Sequence, residues 1–288
     1  MSSINRRFGA HTSIAGSLAN SAQETIDLGC TAFQIFTRSP RMWNSAPLKL
    51  EQIEQLAQLR KEHDLAPLAV HASYLINLAA VAPDNHQKSV RAFRDEVERA
   101  VAVGADYLVF HPGNAKGQEI PDAIEILGKS FAEAVDGIAW NGLTVLLENT
   151  AGGGASLGRS FEELASIRAV IDTEVPNAPV AYCIDTCHLF AAGYDISTAE
   201  GLEETLAAIE ATIGLGEVKI IHTNDSKAKL GSNVDRHENI GEGQIGLEAF
   251  RRIINHPALR DKPFILETPH DEDGTHRRNT AMLKSLAQ

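Results

Sequence analysis

The sequence is poor in cysteine and contains no long hydrophobic run. Three cysteines occur among 288 residues, at Cys30, Cys183 and Cys187, and no CxxC pair is present. An odd number without that spacing indicates neither a disulfide framework nor a zinc ribbon, so we expect reduced, buried thiols. No apolar stretch approaches the ~18 residues of a membrane span, and the basic start of the chain lacks the apolar core of a signal peptide. We therefore predict a cytoplasmic protein without a membrane segment.

Basic residues are also scarce relative to acidic ones. The chain has 26 Lys and Arg against 38 Asp and Glu, which gives a formal net charge of −12. This balance argues against binding to nucleic acid, unless some of the carboxylates hold cations. The hydrophobic share of 43% and the charged share of 22% are typical of globular proteins and exclude a disordered or fibrous chain.

Eight short apolar or β-branched runs recur along the chain. They occupy residues 6–11, 33–36, 68–71, 107–111, 144–148, 180–185, 218–222 and 264–267. Stretches with helical periodicity separate them, as at 50–63, 89–104, 125–140 and 201–214. Strands that alternate with helices predict a parallel sheet, and eight such units predict an α/β fold of the (β/α)₈ TIM-barrel type.

No linker or low-complexity tract interrupts this alternation, so we predict a single domain over residues 1–288. A doubly wound open sheet is the alternative fold. It calls for a G-x-G-x-x-G fingerprint after the first strand, and the sequence FGAHTSIAG does not provide one.

Most of the predicted strands end in a residue type that can bind a metal. Because a TIM barrel builds its active site at the carboxyl ends of the strands, six donors from six strands would meet at one mouth. These donors are His71, His111, Glu148, Asp185, His222 and Glu267. One such residue alone usually caps a helix or bonds the backbone, but chance placement of the whole set is improbable.

Two loop segments extend this set of donors. His188 follows Asp185 by three residues, while Asp235 and His237 are two apart, which on extended backbone puts both side chains on one face. The nine candidates comprise imidazoles and carboxylates without a thiolate, a combination that favours Zn²⁺, Mn²⁺ or Fe²⁺. Nine donors exceed the needs of one ion and suit two or three. Because multinuclear sites of this kind clamp phosphates, we predict phosphoester hydrolysis.

Several long motifs occur in order along the chain. They are GAHTSIAGSLANS at 9–21, FTRSPRMW at 36–43, HASYLINLA at 71–79, FHPG at 110–113, LLENTAGGGASLG at 146–158, CIDTCHLFAAGYD at 183–195, HTNDSK at 222–227, GSNVDRHENIGEGQIG at 231–246 and LETP at 266–269. By these motifs the sequence resembles bacterial endonuclease IV, a zinc-dependent apurinic/apyrimidinic (AP) endonuclease. The resemblance covers essentially the whole chain.

The resemblance implies a DNA repair endonuclease with three zinc ions. The first ion would be held by His71, His111 and Glu148, the second by the bridging Glu148 with Asp185, His222 and Glu267, and the third by His188, Asp235 and His237. A hydroxide held by the first two ions would attack the phosphate 5′ to an abasic sugar, leaving a 3′-hydroxyl and a 5′-deoxyribose phosphate. Glu148 and Glu267 are the expected catalytic residues, and Glu267 would assist proton transfer.

The resemblance also implies double-stranded DNA with abasic sites as the partner. Arg41 and Tyr74 occupy positions from which this family inserts side chains into DNA, and His11 matches a histidine near the site, beside the ligands or facing DNA. Five further basic residues lie on loops that follow strands, where they would contact phosphates: Arg38, Arg159, Lys227, Lys229 and Arg236. Three Zn²⁺ ions would add six positive charges at the mouth and so halve the formal charge of −12.

Two other functions fit part of the pattern. A metal-dependent TIM-barrel sugar isomerase or epimerase would leave His188, Asp235 and His237 without a role. A non-catalytic DNA-lesion binding protein would be expected to lack a ligand, and the sequence shows none lost. Mn²⁺ or Fe²⁺ are expected substitutes for Zn²⁺, 3′-repair diesterase activity is a further expectation, and the absence of a heptad or broad apolar face predicts a monomer.

Two segments depart from the family pattern. The glycine-rich loop at 152–154 carries an extra glycine where a bulkier polar residue is common, and the segment after LETP is unusually charged. Neither segment touches a predicted ligand, so they bear on loop rigidity and DNA contact rather than on catalysis.

Overall fold

Eight parallel strands form a closed barrel. The structure is a computed structural model that describes residues 6–269 and 274–288, so residues 270–273 of the charged segment lie outside the described residues. The first seven barrel strands are β1 (Phe8–His11), β2 (Ala32–Ile35), β3 (Leu68–His71), β4 (Tyr107–Phe110), β5 (Thr144–Glu148), β6 (Val180–Asp185) and β7 (Val218–His222). A short antiparallel hairpin follows, made of β8 (Asp225–Ser226) and β9 (His237–Glu238), and β10 (Phe264–Leu266) closes the barrel.

The order of the strands confirms the predicted TIM barrel. Around the barrel they run β1-β10-β7-β6-β5-β4-β3-β2, and each barrel strand overlaps one of the eight apolar runs. Parallel pairing of sequential strands through helical connections is the right-handed βα repeat that the alternating pattern predicts. The carboxyl ends of all eight strands therefore meet at one mouth.

The helices pack around the outside of the barrel. In the described residues they are α1 (Leu18–Asp27), α2 (Leu50–Glu62), α3 (Pro83–Ala102), α4 (Ile120–Val135), α5 (Phe161–Glu174), α6 (Thr186–Ala192), α7 (Ala199–Thr212), α8 (Leu247–Asn255) and α9 (Thr275–Leu286). The four helical stretches predicted from periodicity overlap α2, α3, α4 and α7. Within the described ranges, no helix is both long enough and apolar enough to cross a bilayer.

Local sequence explains where several helices begin. Pro83 opens α3, where the missing N–H of proline has no helical partner to lose. Ser160 caps α5 by accepting a hydrogen bond from the Glu163 amide. Asp185 caps α6 by accepting from the His188 amide at 2.7 Å. Because Asp185 ends β6 and also starts α6, the chain turns at once and brings His188 over the mouth.

Alternate residues of the strands point into the barrel. Seven side chains, each at most 1% exposed, fill its interior below the mouth and are called the apolar floor: Ala69, Val109, Leu146, Ala181, Cys183, Ile220 and Ile265. Six of the predicted donors stand two residues beyond a residue of this floor, so the same alternation points them into the mouth. All three cysteines are free and buried, as expected.

Candidate metal centre

The structure brings the nine predicted donors together at the carboxyl end of the barrel. Their ligand atoms form overlapping groups in which the atoms of a group lie within 4.8 Å of one another. The first group is His71, His111 and Glu148, the second is Glu148, Asp185, His222 and Glu267, and the third is Asp185, His188 and His237. Asp235 joins the third group through its contacts with both imidazoles. The ends of the barrel strands thus supply six of the nine donors, and the segments that follow β6 and β7 supply the other three.

Glu148 connects the first and second groups. Its side chain is fully buried, and its Oε2 lies 3.2 Å from His71 Nε2 and 3.1 Å from His111 Nε2. Its other oxygen, Oε1, lies 2.9 Å from His222 Nδ1. Each oxygen of one carboxylate therefore faces a different group, which is the arrangement of a bridging ligand.

The second group closes around His222. The Nδ1 atom of this ring also lies 3.2 Å from Glu267 Oε2. Asp185 Oδ2 accepts a hydrogen bond from Asn224 Nδ2 at 2.6 Å, and Asn224 Oδ1 accepts from the Glu267 amide at 2.8 Å. Asn224 therefore ties the carboxylate of Asp185 to the backbone of Glu267.

The third group depends on a loop residue. Asp235 spans two imidazoles, with Oδ2 at 3.1 Å from His188 Nε2 and Oδ1 at 3.2 Å from His237 Nε2. The Nδ1 atoms of both rings face backbone carbonyls, at 2.9 Å from Asn149 O and 3.1 Å from Glu267 O. A carbonyl can accept only from a protonated nitrogen, so each ring presents Nε2 to the group.

The hairpin that carries His237 is anchored by a buried carboxylate. Asp225 is fully buried and accepts hydrogen bonds from the amides of Ser226, Gly241, Gly243 and Ile245 at 2.8–3.1 Å. A Cβ atom at Gly243 would lie 2.5 Å from Asp225 Oδ1, so glycine is required there for the close approach. Asp225 thereby folds the chain from 226 to 246 against the barrel.

The electrostatics of the groups keep the carboxylates ionised. Burial would lower the pKa of His188, but Asp185 and Asp235 outweigh burial and raise it to about 10. Burial would also lower the pKa of His237, but Asp185 and Asp235 outweigh burial and raise this pKa to about 9. The pKa of Asp235 is held below its usual range by the two imidazoles despite its burial. The ionised carboxylates supply negative charge for a divalent cation, and the imidazoles would release their protons on binding it, so the residues fit metal binding.

The nine donors predicted from the sequence do not include Cys187, but the structure places its thiol close to two of them. Its sulfur lies within 4.8 Å of donor atoms of Asp235 and His237. Burial, followed by the charge of Asp185, raises the pKa of the thiol to about 12. A protonated thiol is a poor ligand beside ionised carboxylates, so the nitrogen and oxygen donors remain the better candidates.

Sequence reasoning missed the polar residues that orient the donors. Asn149 Oδ1 accepts from the Asp185 amide at 2.7 Å, Asn224 links Asp185 to Glu267, and Gln34 contacts Glu267 and His222. Each is at most 1% exposed. The available signal was a polar residue inside or directly after an apolar strand, as in AFQIF and LLENT.

Four of the predicted DNA-contacting residues stand on the exposed rim. Arg41, Tyr74, Lys227 and Arg236 are exposed, and Tyr74 keeps 61% of its surface accessible. The ring of Tyr74 packs edge-on against Phe36 at 5.5 Å. Its position next to the first group suits the predicted insertion into DNA, which stays a prediction.

The structure gives Arg38 partners inside the protein, and its predicted contact with a phosphate stays a prediction. Its side chain is 4% exposed, and Nε lies 2.8 Å from Glu96 Oε1, whose side chain is 1% exposed. The rest of the guanidinium contacts Asp95 and the carbonyls of Trp43 and Ala92. Arg38 therefore supports its loop from below. The physical reason is the unforeseen partner on α3, 58 residues away in sequence.

His11 lies beside the second group. Its Nδ1 is 3.6 Å from Glu267 Oε1, its ring packs against Phe36 at 4.3 Å between centroids, and 17% of its side chain is exposed. Of the two expected locations, the structure supports the one beside the ligands. A contact with DNA through the exposed edge stays a prediction.

The glycine-rich loop packs against two neighbours. Gly152 has a φ of +80°, and a Cβ atom there would lie 2.4 Å from Arg159 Cδ. A Cβ atom at Gly153 would lie 3.0 Å from the Asn233 carbonyl oxygen, on the loop that carries Asp235. The small residues therefore let this loop approach both Arg159 and the third group closely.

Two open cavities flank Tyr74. One, of about 400 Å³, is lined by His71, His111, His188 and Asp235. The other, of about 510 Å³, is lined by His11, Phe36, His237 and Glu267. Both cavities reach the donor groups and share Tyr74 as a wall.

Comparisons with known proteins agree with this geometry. The profile of the family described as "Xylose isomerase-like TIM barrel" matches residues 22–286. The "Probable endonuclease 4" of Solibacter usitatus is 52% identical over 281 residues, covering 98% of this chain and 97% of the relative. That of Halothermothrix orenii is 44% identical and covers 91% of this chain and 93% of the relative.

Solved structures give the same result. Endonuclease IV from Thermus thermophilus superposes with a TM-score of 0.85 at 38% identity, covering 97% of this chain and 98% of that one. A D-tagatose 3-epimerase-like protein reaches a TM-score of 0.68 at 20% identity, covering 97% and 96%, and shares the fold alone. Because relatives well above 30% identity match nearly the whole chain, this protein belongs to the endonuclease IV family of TIM barrels.

Proposed function

We propose that this protein is an AP endonuclease of DNA repair. It hydrolyses the phosphodiester bond 5′ to an abasic site in duplex DNA and leaves a 3′-hydroxyl and a 5′-deoxyribose phosphate. The observation that carries the proposal is the set of three overlapping donor groups, linked through Glu148 and Asp185, at the base of an open depression. The family supports the nuclease reaction class, and residues 1–288 would act as one domain.

Three zinc ions are the proposed cofactors, one for each donor group, with Mn²⁺ or Fe²⁺ as substitutes. When bound, such ions activate water at neutral pH and neutralise the charge that develops on a phosphate. We propose a third ion in addition to the two that would share Glu148. Asp235 contacts both His188 and His237, and these contacts do not involve Glu148.

The two proposed catalytic carboxylates have different surroundings. Glu148 is fully buried and holds the first two groups together, so its role is to fix their separation. Glu267 retains 12% exposure and lines the larger cavity. Despite burial, His222 and His11 keep its pKa below the usual range, so it stays ionised. We assign proton transfer to Glu267 because, of the two carboxylates, it is the one that lines an open cavity.

We assign the DNA contacts to exposed residues around the mouth of the barrel. Tyr74 and Arg41 would enter the duplex at the abasic site, where a nucleotide without a base is displaced at low cost. Lys227 and Arg236 would contact flanking phosphates, together with Arg159 and Lys229. The protein would act as a monomer in the cytoplasm, and the same centre would process 3′-blocked ends as a repair diesterase.

The alternatives are less well supported. Epimerases among the similar structures share the fold alone, and an enzyme acting on a free sugar gives the third group no role. A non-catalytic lesion-binding protein would need a disrupted donor group, whereas all nine donors are present and clustered.

The test is incision of an end-labelled duplex with a single tetrahydrofuran abasic analogue. This analogue cannot undergo β-elimination, so a lyase cannot cleave it. We expect cleavage to stop after stripping with a chelator, to return with zinc, and to leave a 3′-end that a polymerase extends. Glu267→Gln should abolish the activity, while Glu54→Gln on exposed α2 should not. Three bound metals per chain without incision would overturn the proposal.

A further inference from the structure

One polar side chain beneath the metal centre has no part in the function proposed so far. Gln34 is the third residue of β2, is fully buried, and pairs in register with His11 of β1. Its neighbours in the strand, Phe33 and Ile35, belong to the hydrophobic core. Burying an amide is costly unless its donors and acceptor are satisfied, so its contacts are informative.

The amide of Gln34 satisfies both of its ends. Nε2 donates to Glu267 Oε1 at 2.6 Å and lies 3.1 Å from His11 Nδ1. Oε1 lies 2.8 Å from His222 Nε2. The opposite amide orientation would place its oxygen against the ionised Glu267 carboxylate, and two acceptors would then repel each other. The charge of Glu267 therefore fixes which end of Gln34 faces which neighbour.

This orientation determines which nitrogen of His222 faces the other donors. The Gln34 oxygen can accept only from a protonated Nε2, so Nδ1 is the ring nitrogen left to face the rest of the group. Nδ1 is the atom that lies near Glu148 Oε1 and Glu267 Oε2. His71, His188 and His237 show the reverse arrangement, with Nδ1 facing a backbone carbonyl and Nε2 facing the donors.

We propose that Gln34 is a positioning residue of the second donor group. Its oxygen holds the Nε2–H of His222 so that Nδ1 faces the donors, and its NH₂ group holds Glu267 so that Oε2, the other oxygen, faces the same point. One side chain thereby aligns two of the four donors of this group. The proposal rests on the proposed function in one respect, that the second group binds a metal.

The experiment separates the two ends of the amide. Gln34→Met has similar length and removes both contacts, whereas Gln34→Glu keeps an acceptor for His222 and places a second carboxylate against Glu267. Gln58→Met, at an exposed glutamine of α2, is the matched control. Zinc affinity is measured by competition with a chromogenic chelator, and the hydrogen-bonded Nε2–H of His222 by ¹⁵N-histidine NMR, assigned with His222→Asn.

We expect wild type and Gln58→Met to hold zinc equally. Gln34→Met should bind one zinc per chain about 10–100-fold more weakly, the usual effect of losing a residue that orients a ligand. It should also lose the signature of a slowly exchanging His222 Nε2–H proton, which the hydrogen bond to Gln34 protects. Gln34→Glu should weaken the same zinc but keep that signature, a split that general destabilisation would not produce.

Each further result has one meaning. If wild type binds zinc and Gln34→Met retains all of it with unchanged affinity and an unchanged His222 Nε2–H signal, the role of Gln34 is overturned and the proposed function stands. If wild type binds no zinc, the proposed function itself fails. Thermal unfolding of the metal-free variants identifies loss of fold, and Gln34→Glu still tests the Nε2–H hydrogen bond if Gln34→Met does not fold.

Discussion

The donors at the strand ends and the donors on the loops differ in how they are held. Glu148, Asp185 and His222 lie at the ends of strands and are fully buried. Asp235 and His237 belong to the segment after β7, where their side chains are 50% and 19% exposed. The first set is fixed by the barrel itself, whereas the second depends on a hairpin and its anchor. The comparison indicates a preformed pair of groups and a third that local contacts assemble.

The largest effect is expected at Glu148, the residue that joins the two buried groups. Glu148→Gln removes the charge that both groups share, so we expect incision of the abasic analogue to fall by about 10³-fold or more. Single-turnover incision and zinc content measure the effect, with Glu54→Gln as control. Activity within tenfold of wild type would show that the strand-end groups work independently of each other.

Substitution of Arg38 tests whether this loop residue stabilises the fold through its buried ion pair with Glu96. Arg38→Ala leaves the buried Glu96 without its partner, which we expect to lower the free energy of unfolding by about 3 kcal/mol. Arg41→Ala, three residues along and exposed, should change it by less than about 0.5 kcal/mol. Urea unfolding compares the two. Equal stability together with a reduced salt dependence of DNA binding would support Arg38 as a phosphate contact.

Asp225 allows the third group to be weakened while the other two are kept. Asp225→Asn places an NH₂ group against amide donors, so we expect the hairpin to loosen and one zinc per chain to be held about 10–100-fold more weakly. Zinc retention is measured against a chelator, with the exposed Asp84→Asn as control. If all the zinc sites weaken together, the loop is not an independent unit.

The smallest effect on the metal centre is expected at Tyr74. Tyr74→Ala removes an exposed aromatic surface, and stacking of this kind contributes about 1–3 kcal/mol, so binding of the abasic duplex should weaken by about tenfold or more. Zinc content should be unchanged, and Tyr74→Phe should bind nearly as wild type. An unaltered affinity measured by fluorescence anisotropy would remove Tyr74 from the DNA interface.

The sequence was sufficient for the barrel and for the gathering of its donors. Eight apolar runs with histidines or carboxylates at their ends predict converging side chains, because parallel strands point their carboxyl ends to one side. The pairing of Asp235 with His237 also follows from their spacing. What remains a prediction is the role of each donor, since clustering defines a site without identifying its ions.

Other residues could not be interpreted from the sequence, because their meaning depends on distant partners. Arg38 reads as a loop cation until Glu96 is found beneath it. Gln34 reads as an irregularity in an apolar strand until Glu267 and His222 are found on either side of it. Asp225 resembles an ordinary acidic turn residue until the amides of residues 241–245 are seen around it. Contacts between residues far apart in the chain produce no periodic pattern in the sequence.

The apolar floor has a consequence for the kinetics of ion exchange. Its seven side chains seal the barrel below the donors, so an ion leaving the centre would pass through the open mouth. The proposed DNA partner would cover that same mouth. Bound DNA would then block the exit of the ions. The enzyme would retain its ions for the lifetime of the complex with DNA, even where the concentration of free zinc is low.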